Sequence, residues 1–192
     1  MKKEFESFLP LFDIIDDRLK KGRMTLAIDG LSASGKTTLA KLLEEKYECT
    51  VFHMDDFFLQ PFQRTKERYE EIGGNIDRER FLDQVLKPLF KGEKIKYQPF
   101  DCSVMTLLNT IEVTPKKLTV IEGVYSMHPL FLPYYDYSVF LQIDKELQKE
   151  RILKRNTPAV SKRFFYEWIP MENRYFESFN IKEKCNMIIF TR

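Results

Sequence analysis

The sequence predicts an α/β protein in which a parallel β-sheet is covered by helices on both faces, and three observations lead to this fold class. Strand-like and helix-like segments alternate along the chain. The strand-like segments are short and almost entirely apolar, which is typical of parallel strands buried on both faces. A glycine-rich phosphate-binding motif at 30–37 joins the first of these strands to a helix. The 192 residues, 43% of them hydrophobic, suffice for one domain with a substantial core, which we expect to span 1–192.

The predicted elements follow from apolar periodicity and from the residues that begin or end each segment. Residues 4–21 predict an amphipathic helix, which Pro10 breaks or starts and which ends before Gly22. Five segments have the pattern of buried strands: 24–28, 49–54, 118–121, 137–143 and 186–190. Four have the pattern of helices: 38–46, 77–90, 145–155 and 164–179. Residues 57–76 predict a long functional loop or a helical excursion, and 95–101 with 111–113 predict a small hairpin-like excursion.

The phosphate-binding motif, hereafter the phosphate loop, predicts how a nucleotide is held. Its glycines let consecutive backbone N–H groups curl around phosphate oxygens, and the following helix adds the partial positive charge of its N-terminus. Lys36 would reach the β- and γ-phosphates, and the Thr37 hydroxyl would coordinate Mg²⁺. An ordinary glycine-containing turn is the alternative. The nucleotide-binding candidates are Gly30, Ser32, Ala33, Ser34, Gly35, Lys36, Thr37 and Thr38.

Composition and charge argue against several broad classes of protein. Lys and Arg number 31 and Asp and Glu 29, so the nearly neutral chain gives no support to bulk attraction to nucleic acid or to a membrane surface. No apolar stretch approaches the roughly 18 residues of a membrane span. The N-terminus carries acids where a secretory signal needs an apolar stretch, and the three cysteines are far apart, as reduced thiols often are. These features predict a cytoplasmic protein.

Carboxylates follow three of the predicted strands, where the ligands of parallel sheets gather. Asp55 and Asp56 follow the second strand, Glu122 the third and Asp144 the fourth. Asp144 is expected simply to cap the next helix. For Asp55 and Glu122 the functional interpretation is favoured, because a kinase needs one acid that helps to hold Mg²⁺ and a base that accepts the proton of the substrate hydroxyl.

Besides the phosphate loop, five motifs follow one another along the chain: MDDFF at 54–58, GGNIDRERF at 73–81, PFDCS at 99–103, VIEGVY at 120–125 and RILKR at 151–155. Their order and rough spacing resemble the uridine kinase-like P-loop kinases, a superfamily that includes phosphoribulokinase, pantothenate kinase and nicotinamide riboside kinase. The resemblance covers 24–190 and is closest to short bacterial uridine kinase-like proteins. It implies a three-layer P-loop NTPase fold with a five-stranded parallel sheet, a small lid near 155–163 and a substrate-side excursion at 56–113.

The resemblance also implies roles for individual residues. Asp55 matches the catalytic base, and Asp77, which could also cap a helix, matches the aspartate that binds ribose hydroxyls. Phe58 and Phe100 match aromatic positions that contact the nucleobase, although core packing explains them equally well. Glu122 matches the acid near Mg²⁺. Two further matches concern basic residues that reach the phosphates at the lid: Arg151 and Lys154. The catalytic set implied is Asp55, Lys36 and Arg151.

Several positions depart from the family pattern. Met105 and Leu107 stand where uridine kinases carry the His and Arg that read the pyrimidine. The Arg-Gly-Arg lid is replaced by residues 156–163, whose cations are Lys162 and Arg163. Ala33 stands where the loop often has glycine. The resemblance therefore implies phosphate transfer but not pyrimidine specificity.

Three further features are open to two interpretations. His53 could orient Asp55 or could be a satisfied histidine near the core, and His128 has the context of a loop residue. The aromatic stretch 168–179 could be a substrate-facing lid helix or could serve packing. Asp55 and Asp56, on an extended strand end, would point to opposite sides, and only the resemblance selects Asp55.

The leading hypothesis is an ATP- and Mg²⁺-dependent kinase for a hydroxyl of a small metabolite, most simply a nucleoside, and a homo-oligomer is an open alternative to a monomer. A kinase for a non-nucleoside acceptor of the pantothenate, nicotinamide riboside or sugar type is one alternative. A nucleotide-dependent switch or binding module is another, but a GTPase is disfavoured because the chain lacks an N-K-x-D string. A kinase acting on a larger target, such as a sugar nucleotide or a protein, is a further alternative, but the nearly neutral charge of the chain gives it no positive support.

Overall fold

The computed structural model describes the backbone of residues 3–192 and the side chains of residues 6–192. Residues 1 and 2 of the predicted domain lie outside the described residues. The strands are β1 (Met24–Gly30), β2 (Thr50–His53), β3 (Ile95–Tyr97), β4 (Phe100–Asp101), β5 (Thr106–Leu107), β6 (Ile111–Val113), β7 (Leu118–Glu122), β8 (Tyr137–Ile143) and β9 (Met187–Thr191). The α-helices are α1 (Leu9–Leu19), α2 (Lys36–Tyr47), α3 (Lys66–Glu70), α4 (Arg78–Phe81), α5 (Lys87–Lys91), α6 (Lys145–Arg155), α7 (Pro158–Arg163), α8 (Ile169–Ser178) and α9 (Ile181–Lys184). Two π-helical turns join α4 to α5 and α7 to α8: Leu82–Leu86 and Phe164–Trp168.

Parallel pairing organises the main sheet, which confirms the predicted fold class. Within the described residues it contains five strands in the order β2-β7-β1-β8-β9, and each neighbouring pair is parallel. Two short antiparallel pairs, β3 with β6 and β4 with β5, belong to the predicted excursion at 56–113. Because parallel neighbours need crossover connections, the intervening helices cover the sheet. None of the described helices is both long and apolar enough to cross a membrane.

The two faces of the sheet form separate apolar layers. Alternate residues of β1 point to opposite sides, as the strand pleat requires. Leu26 and Ile28 join a buried cluster that includes Leu39 of α2. Ala27 joins the cluster on the opposite face, which includes Phe81 of α4. The result is the predicted three-layer arrangement of helices, sheet and helices.

A few element boundaries differ from the prediction for local reasons. The N-terminal α-helix begins at Leu9, because Pro10 is tolerated in the first turn, where its missing N–H needs no partner. The second strand ends at His53, and the chain continues into a 3₁₀ turn, Met54–Phe57. The sequence predicted no helix between 155 and 164, but the chain is helical from Pro158, because the Thr157 hydroxyl accepts a hydrogen bond from the Val160 N–H (3.4 Å).

Close approach of β1 and β8 determines the residue at the end of β1. Gly30 has a φ of +142°, a backbone conformation that other residues rarely adopt. A methyl group on Gly30 would lie 2.3 Å from the carbonyl oxygen of Leu141, and the Leu31 N–H donates to the same oxygen (3.1 Å). The chain therefore enters the phosphate loop at a point where only glycine fits without distortion.

A buried carboxylate lies directly before this glycine. Asp29 is fully buried and accepts hydrogen bonds from the Gly30 N–H (2.7 Å), the Met127 N–H (3.0 Å) and the Tyr175 hydroxyl (2.8 Å). Burial raises the pKa of Asp29 to about 6, although its hydrogen bonds and the nearby Lys36 charge act in the opposite direction. The carboxylate thus joins β1, the loop after β7 and α8.

The steric argument at Gly30 can be tested by adding one methyl group. Gly30→Ala is expected to lower the free energy of unfolding by about 3 kcal/mol or more, because the clash with Leu141 adds to the strain of the backbone. Gly22→Ala is the matched control, since Gly22 has a φ of +154° but no atom within 4 Å of the added methyl group. The control should lose about 1–3 kcal/mol from strain alone. Urea unfolding checks both variants, and equal losses would contradict the argument.

Candidate active site

A cavity of about 1530 Å³ opens beside the carboxyl ends of β1, β2 and β7. The phosphate loop lines it, as do Asp55 after β2 and Glu122 at the end of β7. Residues of α6, α7 and α8 line the facing wall. Parallel sheets bind their ligands at this edge, and the structure gathers the predicted phosphate-binding and acidic residues there.

The phosphate loop folds around the side chain of its own lysine. The Lys36 ammonium donates to the carbonyl oxygens of Gly30 (2.8 Å) and Leu31 (3.0 Å). Gly35 has a φ of +96° and Ala33 a φ of +61°, so a residue with a side chain adopts the left-handed conformation that related loops often give to glycine. The loop leads directly into α2, whose N-terminus adds partial positive charge behind it.

The groups at this loop fit a phosphate chain and a divalent cation. Ser34 is fully buried, and its hydroxyl oxygen has no hydrogen-bond partner within the described residues. A phosphate oxygen would satisfy such a group. The Thr37 hydroxyl and the Glu122 carboxylate are hard oxygen donors of the kind that Mg²⁺ prefers. The described residues contain no cluster of three or more His, Cys, Asp or Glu side chains able to hold a metal ion.

Glu122 is held by two neighbours at the end of β7. It is buried, and its Oε1 accepts a hydrogen bond from the Thr37 hydroxyl (3.1 Å) and lies 2.6 Å from the Nδ1 of His53. The hydrogen bond to Glu122 raises the pKa of His53, which favours the ring that donates from Nδ1. One interpretation of the sequence was that His53 orients Asp55. In the structure His53 instead pairs with Glu122.

The two adjacent acids after β2 face different surroundings. The prediction that both acids lie on an extended strand end was wrong, because both lie on the 3₁₀ turn Met54–Phe57. Asp55 lies on the cavity wall, and the confinement of the cleft, together with the negative charge of Glu122, raises its pKa. Asp56 lies beside Tyr97, outside the described wall, and burial raises its pKa as well. Of the two acids, Asp55 is therefore the one at the cavity.

The three predicted acceptor-binding residues beyond Asp55 are not brought together. Phe58 lies on the cavity wall, whereas Asp77 and Phe100 are absent from its described lining. Asp77 is 3% exposed; its carboxylate accepts from the Arg80 N–H (3.0 Å) and from Gln63 (3.0 Å), which makes it the predicted cap of α4. Phe100 is 4% exposed and belongs to β4. The Asp77 carboxylate is thus engaged by its neighbours and caps a helix, and this arrangement does not favour a contact with ribose hydroxyls. For Phe100 the structure favours the packing interpretation.

Cations from α6 reach the donor side of the cavity. Arg151 donates to the Ala33 carbonyl in the phosphate loop (3.2 Å) and to the Arg192 carbonyl (2.6 Å). Lys154 and Arg155 also line the cavity. The structure therefore brings the predicted residues Arg151 and Lys154 to the cavity that the phosphate loop lines.

The aromatic stretch 168–179 contains one residue that faces the cavity and one that serves packing, so both interpretations of it apply. Trp168 lines the cavity, whereas Tyr175 is fully buried beneath it. Arg163 lines the cavity, forms an ion pair with Glu167 (3.1 Å) and lies over the Trp168 ring, 4.8 Å from its centroid. Lys162 is absent from the described cavity lining. Of the two lid cations, Arg163 is the one placed at the site.

The sequence did not indicate two polar residues that hold Ser32 of the phosphate loop, one of which, Glu172, lines the cavity. The Ser32 hydroxyl donates to Glu172 of α8 (2.7 Å), and the Gln148 amide of α6 donates to the Ser32 carbonyl (2.9 Å). Burial raises the pKa of Glu172. Ser32 is 140 residues from Glu172 and 116 from Gln148 in the chain, so no local pattern could have indicated these contacts.

Solved structures of similar proteins share this fold. A possible uridine kinase from Bacillus stearothermophilus has 26% sequence identity and a TM-score of 0.66, over 94% of this chain and 100% of that chain. A D-glycerate 3-kinase from Cryptococcus neoformans var. grubii has 15% identity and a TM-score of 0.54, over 86% of this chain and 85% of that chain, and this likeness concerns the fold alone. No protein-family model matches the chain. The predicted resemblance to P-loop kinases is confirmed by these neighbours.

The roles of the two adjacent acids can be separated by removing one carboxylate at a time. Asp55→Asn keeps the shape of the side chain but removes its ability to accept a proton, so single-turnover phosphate transfer should slow by about 10²–10⁴-fold with little change in ATP affinity. Asp56→Asn is the matched control and should affect stability more than rate. A large loss in the control with a normal rate in Asp55→Asn would reverse the assignment.

The role of Glu122 can be tested through the metal. Glu122→Gln should raise the Mg²⁺ concentration needed for half-maximal activity by about 10–100-fold, because the substitution removes the charge that orients the ion and its water ligands. Asp144→Asn is the control: Asp144 also follows a strand, but its carboxylate caps α6. That variant should lose about 1 kcal/mol of stability and keep its Mg²⁺ dependence. An unchanged Mg²⁺ dependence in Glu122→Gln would make this carboxylate structural.

Proposed function

We propose that this chain is a kinase that transfers the γ-phosphate of ATP to a hydroxyl group of a small metabolite in the presence of Mg²⁺. One observation carries the proposal: the phosphate loop, Asp55 and Glu122 line a single cavity at the carboxyl edge of a parallel sheet. These are the parts that in-line phosphate transfer requires, namely a phosphate cradle, a base and an acid for the metal. The likeness to a possible uridine kinase supports the same class of reaction.

The arrangement suggests how the residues divide the work. The N–H groups of the phosphate loop and the Lys36 ammonium would hold the β- and γ-phosphates, while Arg151 and Lys154 would neutralise charge from the α6 side. Thr37 and Glu122 would hold Mg²⁺, which when bound draws negative charge from the phosphates. Asp55 would accept the proton of the attacking hydroxyl. The acceptor oxygen then bonds to the γ-phosphorus, the bond from that phosphorus to the bridging oxygen breaks, and ADP leaves.

The raised pKa of Asp55 suits its proposed role. Confinement in the cleft and the charge of Glu122 make this carboxylate a stronger proton acceptor than a free aspartate. The positive charge of Lys36 acts in the opposite direction. Such a balance is expected of a general base that works near neutral pH.

A nucleoside is the first acceptor to test, because the similar structure bears the name of a possible uridine kinase. Acceptors of the pantothenate, nicotinamide riboside and sugar types are the alternatives. A panel of these compounds incubated with ATP and Mg²⁺ and analysed by mass spectrometry should show the gain of one phosphate on an acceptor. Slow ATP hydrolysis without a phosphorylated acceptor would instead indicate a nucleotide-dependent switch.

The contribution of the loop lysine provides a direct test of the donor site. Lys36→Ala removes the ammonium aimed at the β- and γ-phosphates in a water-poor site, so turnover should fall at least about a hundredfold, roughly 2.7 kcal/mol of transition-state stabilisation. Lys41→Ala is the control, because Lys41 lies on the same helix but is exposed. Steady-state kinetics and thermal unfolding are measured for both. Near-normal turnover in a folded Lys36→Ala protein would refute the proposed donor site.

A further inference from the structure

Arg64 is a cavity residue to which the proposed phosphate transfer gives no role. It lies between Phe58 and α3 on the excursion at 56–113, and its side chain is half-buried on the cavity wall. Its Nε donates to the Leu59 carbonyl (2.9 Å), and its guanidinium group lies 5.5 Å from the centroid of the Phe100 ring. These two contacts, with a side-chain hydrogen bond to Cys102, hold the group on the cavity wall.

The charge of Arg64 is also not neutralised by a neighbouring acid. Within the described part of the excursion, the other arginines each form an ion pair with a carboxylate, whereas Arg64 forms none. The pairs are Arg68 with Glu79, Arg78 with Glu71 and Arg80 with Asp77. A guanidinium group held against an aromatic ring without a counter-ion is ready to bind an oxyanion with two parallel hydrogen bonds.

Arg64 lines the same cavity as the proposed base, Asp55, and Cys102 lies on the wall with them. Burial raises the pKa of the Cys102 thiol; the positive charge of Arg64 and a hydrogen bond with Arg64 lower it, and the negative charge of Asp55 raises it. The cations placed for the nucleotide phosphates lie elsewhere, in the phosphate loop and on α6. Arg64 is therefore available to a group on the acceptor and is not required by the triphosphate.

Two positions that would contact a neutral nucleoside in the family do not offer free polar groups here. Met105 lines the cavity at a position where the resemblance led us to expect a polar reader of the pyrimidine. The Asp77 carboxylate is occupied by Arg80 and Gln63 and is buried. Arg64 is thus a cation of the cavity wall that no described carboxylate pairs with.

We propose that Arg64 binds an oxyanion of the acceptor, a carboxylate or a phosphate monoester, so that the preferred substrate is an anionic hydroxy compound. This inference rests on the proposed function and names the substrate class of the same site. The anion would be held by the guanidinium group while the hydroxyl oxygen of the same molecule attacks the γ-phosphorus. The hydroxyl proton passes to Asp55, the bond between the γ-phosphorus and the bridging oxygen breaks, and ADP is released.

Matched acceptors that differ by one charge test the substrate class. Pantothenate is paired with pantothenol, which carries an alcohol in place of the carboxylate, and D-ribose 5-phosphate is paired with D-ribose. Uridine serves as the neutral nucleoside. With ATP and Mg²⁺, the anionic member of at least one pair should have a kcat/KM at least about tenfold higher than its neutral partner and than uridine. The two pairs distinguish a carboxylate from a phosphate monoester.

Variants of Arg64 test whether this residue reads the charge. Arg64→Gln should raise KM for the anionic acceptor by about 10–100-fold, leave KM for ATP within about twofold and remove the preference for the charged member of the pair. Arg64→Lys keeps the charge but not the planar fork, and should retain part of the preference. Lys66→Gln removes a cation from the same segment outside the described cavity lining and should change neither parameter.

A second readout does not depend on turnover. The chain has a single tryptophan, Trp168, and it lies on the cavity wall. Fluorescence titration with the same probes in the presence of ADP and Mg²⁺ should show tighter binding of the anionic member to the wild type and equal binding of both members to Arg64→Gln. A purely structural Arg64 would instead lower the melting temperature and weaken the anionic and neutral members alike, which would overturn the inference.

The remaining outcomes separate this inference from the proposed function. If uridine or the neutral members are phosphorylated with the same kcat/KM as the anionic members, the kinase assignment stands and the anionic substrate class is refuted. The same holds if Arg64→Gln keeps the preference for the charged member. If no probe gains a phosphate and none is bound in the fluorescence titration, the proposed function fails and this inference fails with it.

Discussion

The buried carboxylate of Asp29 is the interaction on which the rest of this structure depends. An ionisable group without access to water is tolerated only when its oxygens are hydrogen-bonded. Here the donors are the backbone N–H groups of Gly30 and Met127 and the hydroxyl of Tyr175, from three separate parts of the chain. One side chain therefore fixes the start of the phosphate loop relative to the loop after β7 and to α8. Loss of any donor would leave a buried charge incompletely satisfied.

The cavity inherits its shape from this junction. The phosphate loop emerges from β1 on one side of it, and α8 brings Glu172 to the Ser32 hydroxyl on the other. Gln148 adds a bond from α6 to the backbone of the same loop residue. The loop is thus held from the sheet and from two helices, which limits the freedom of the N–H groups that would bind phosphate. A rigid cradle of this kind is what electrostatic stabilisation of phosphate transfer requires.

Local physical chemistry explains why much of the fold could be predicted from the sequence. Buried parallel strands need nearly continuous apolar residues, so all strands of the described main sheet were recognisable before their order was known. The phosphate loop depends on backbone conformations within eight consecutive residues. The caps contributed by Asp77 and Asp144 depend on hydrogen bonds that reach only two or three residues along the chain. Each of these features is encoded within a short segment.

The sequence by itself thus determined the strands, the helices, the phosphate loop and the acids that follow β2 and β7. Only the tertiary structure decided which acid faces the cavity, because that depends on the 3₁₀ turn after β2. It also decided that His53 pairs with Glu122, that Asp77 pairs with Arg80, and that Arg64 lines the cavity without an ion pair to a described carboxylate. Contacts between segments far apart in the chain set these outcomes, and such contacts exist only once the layers have packed.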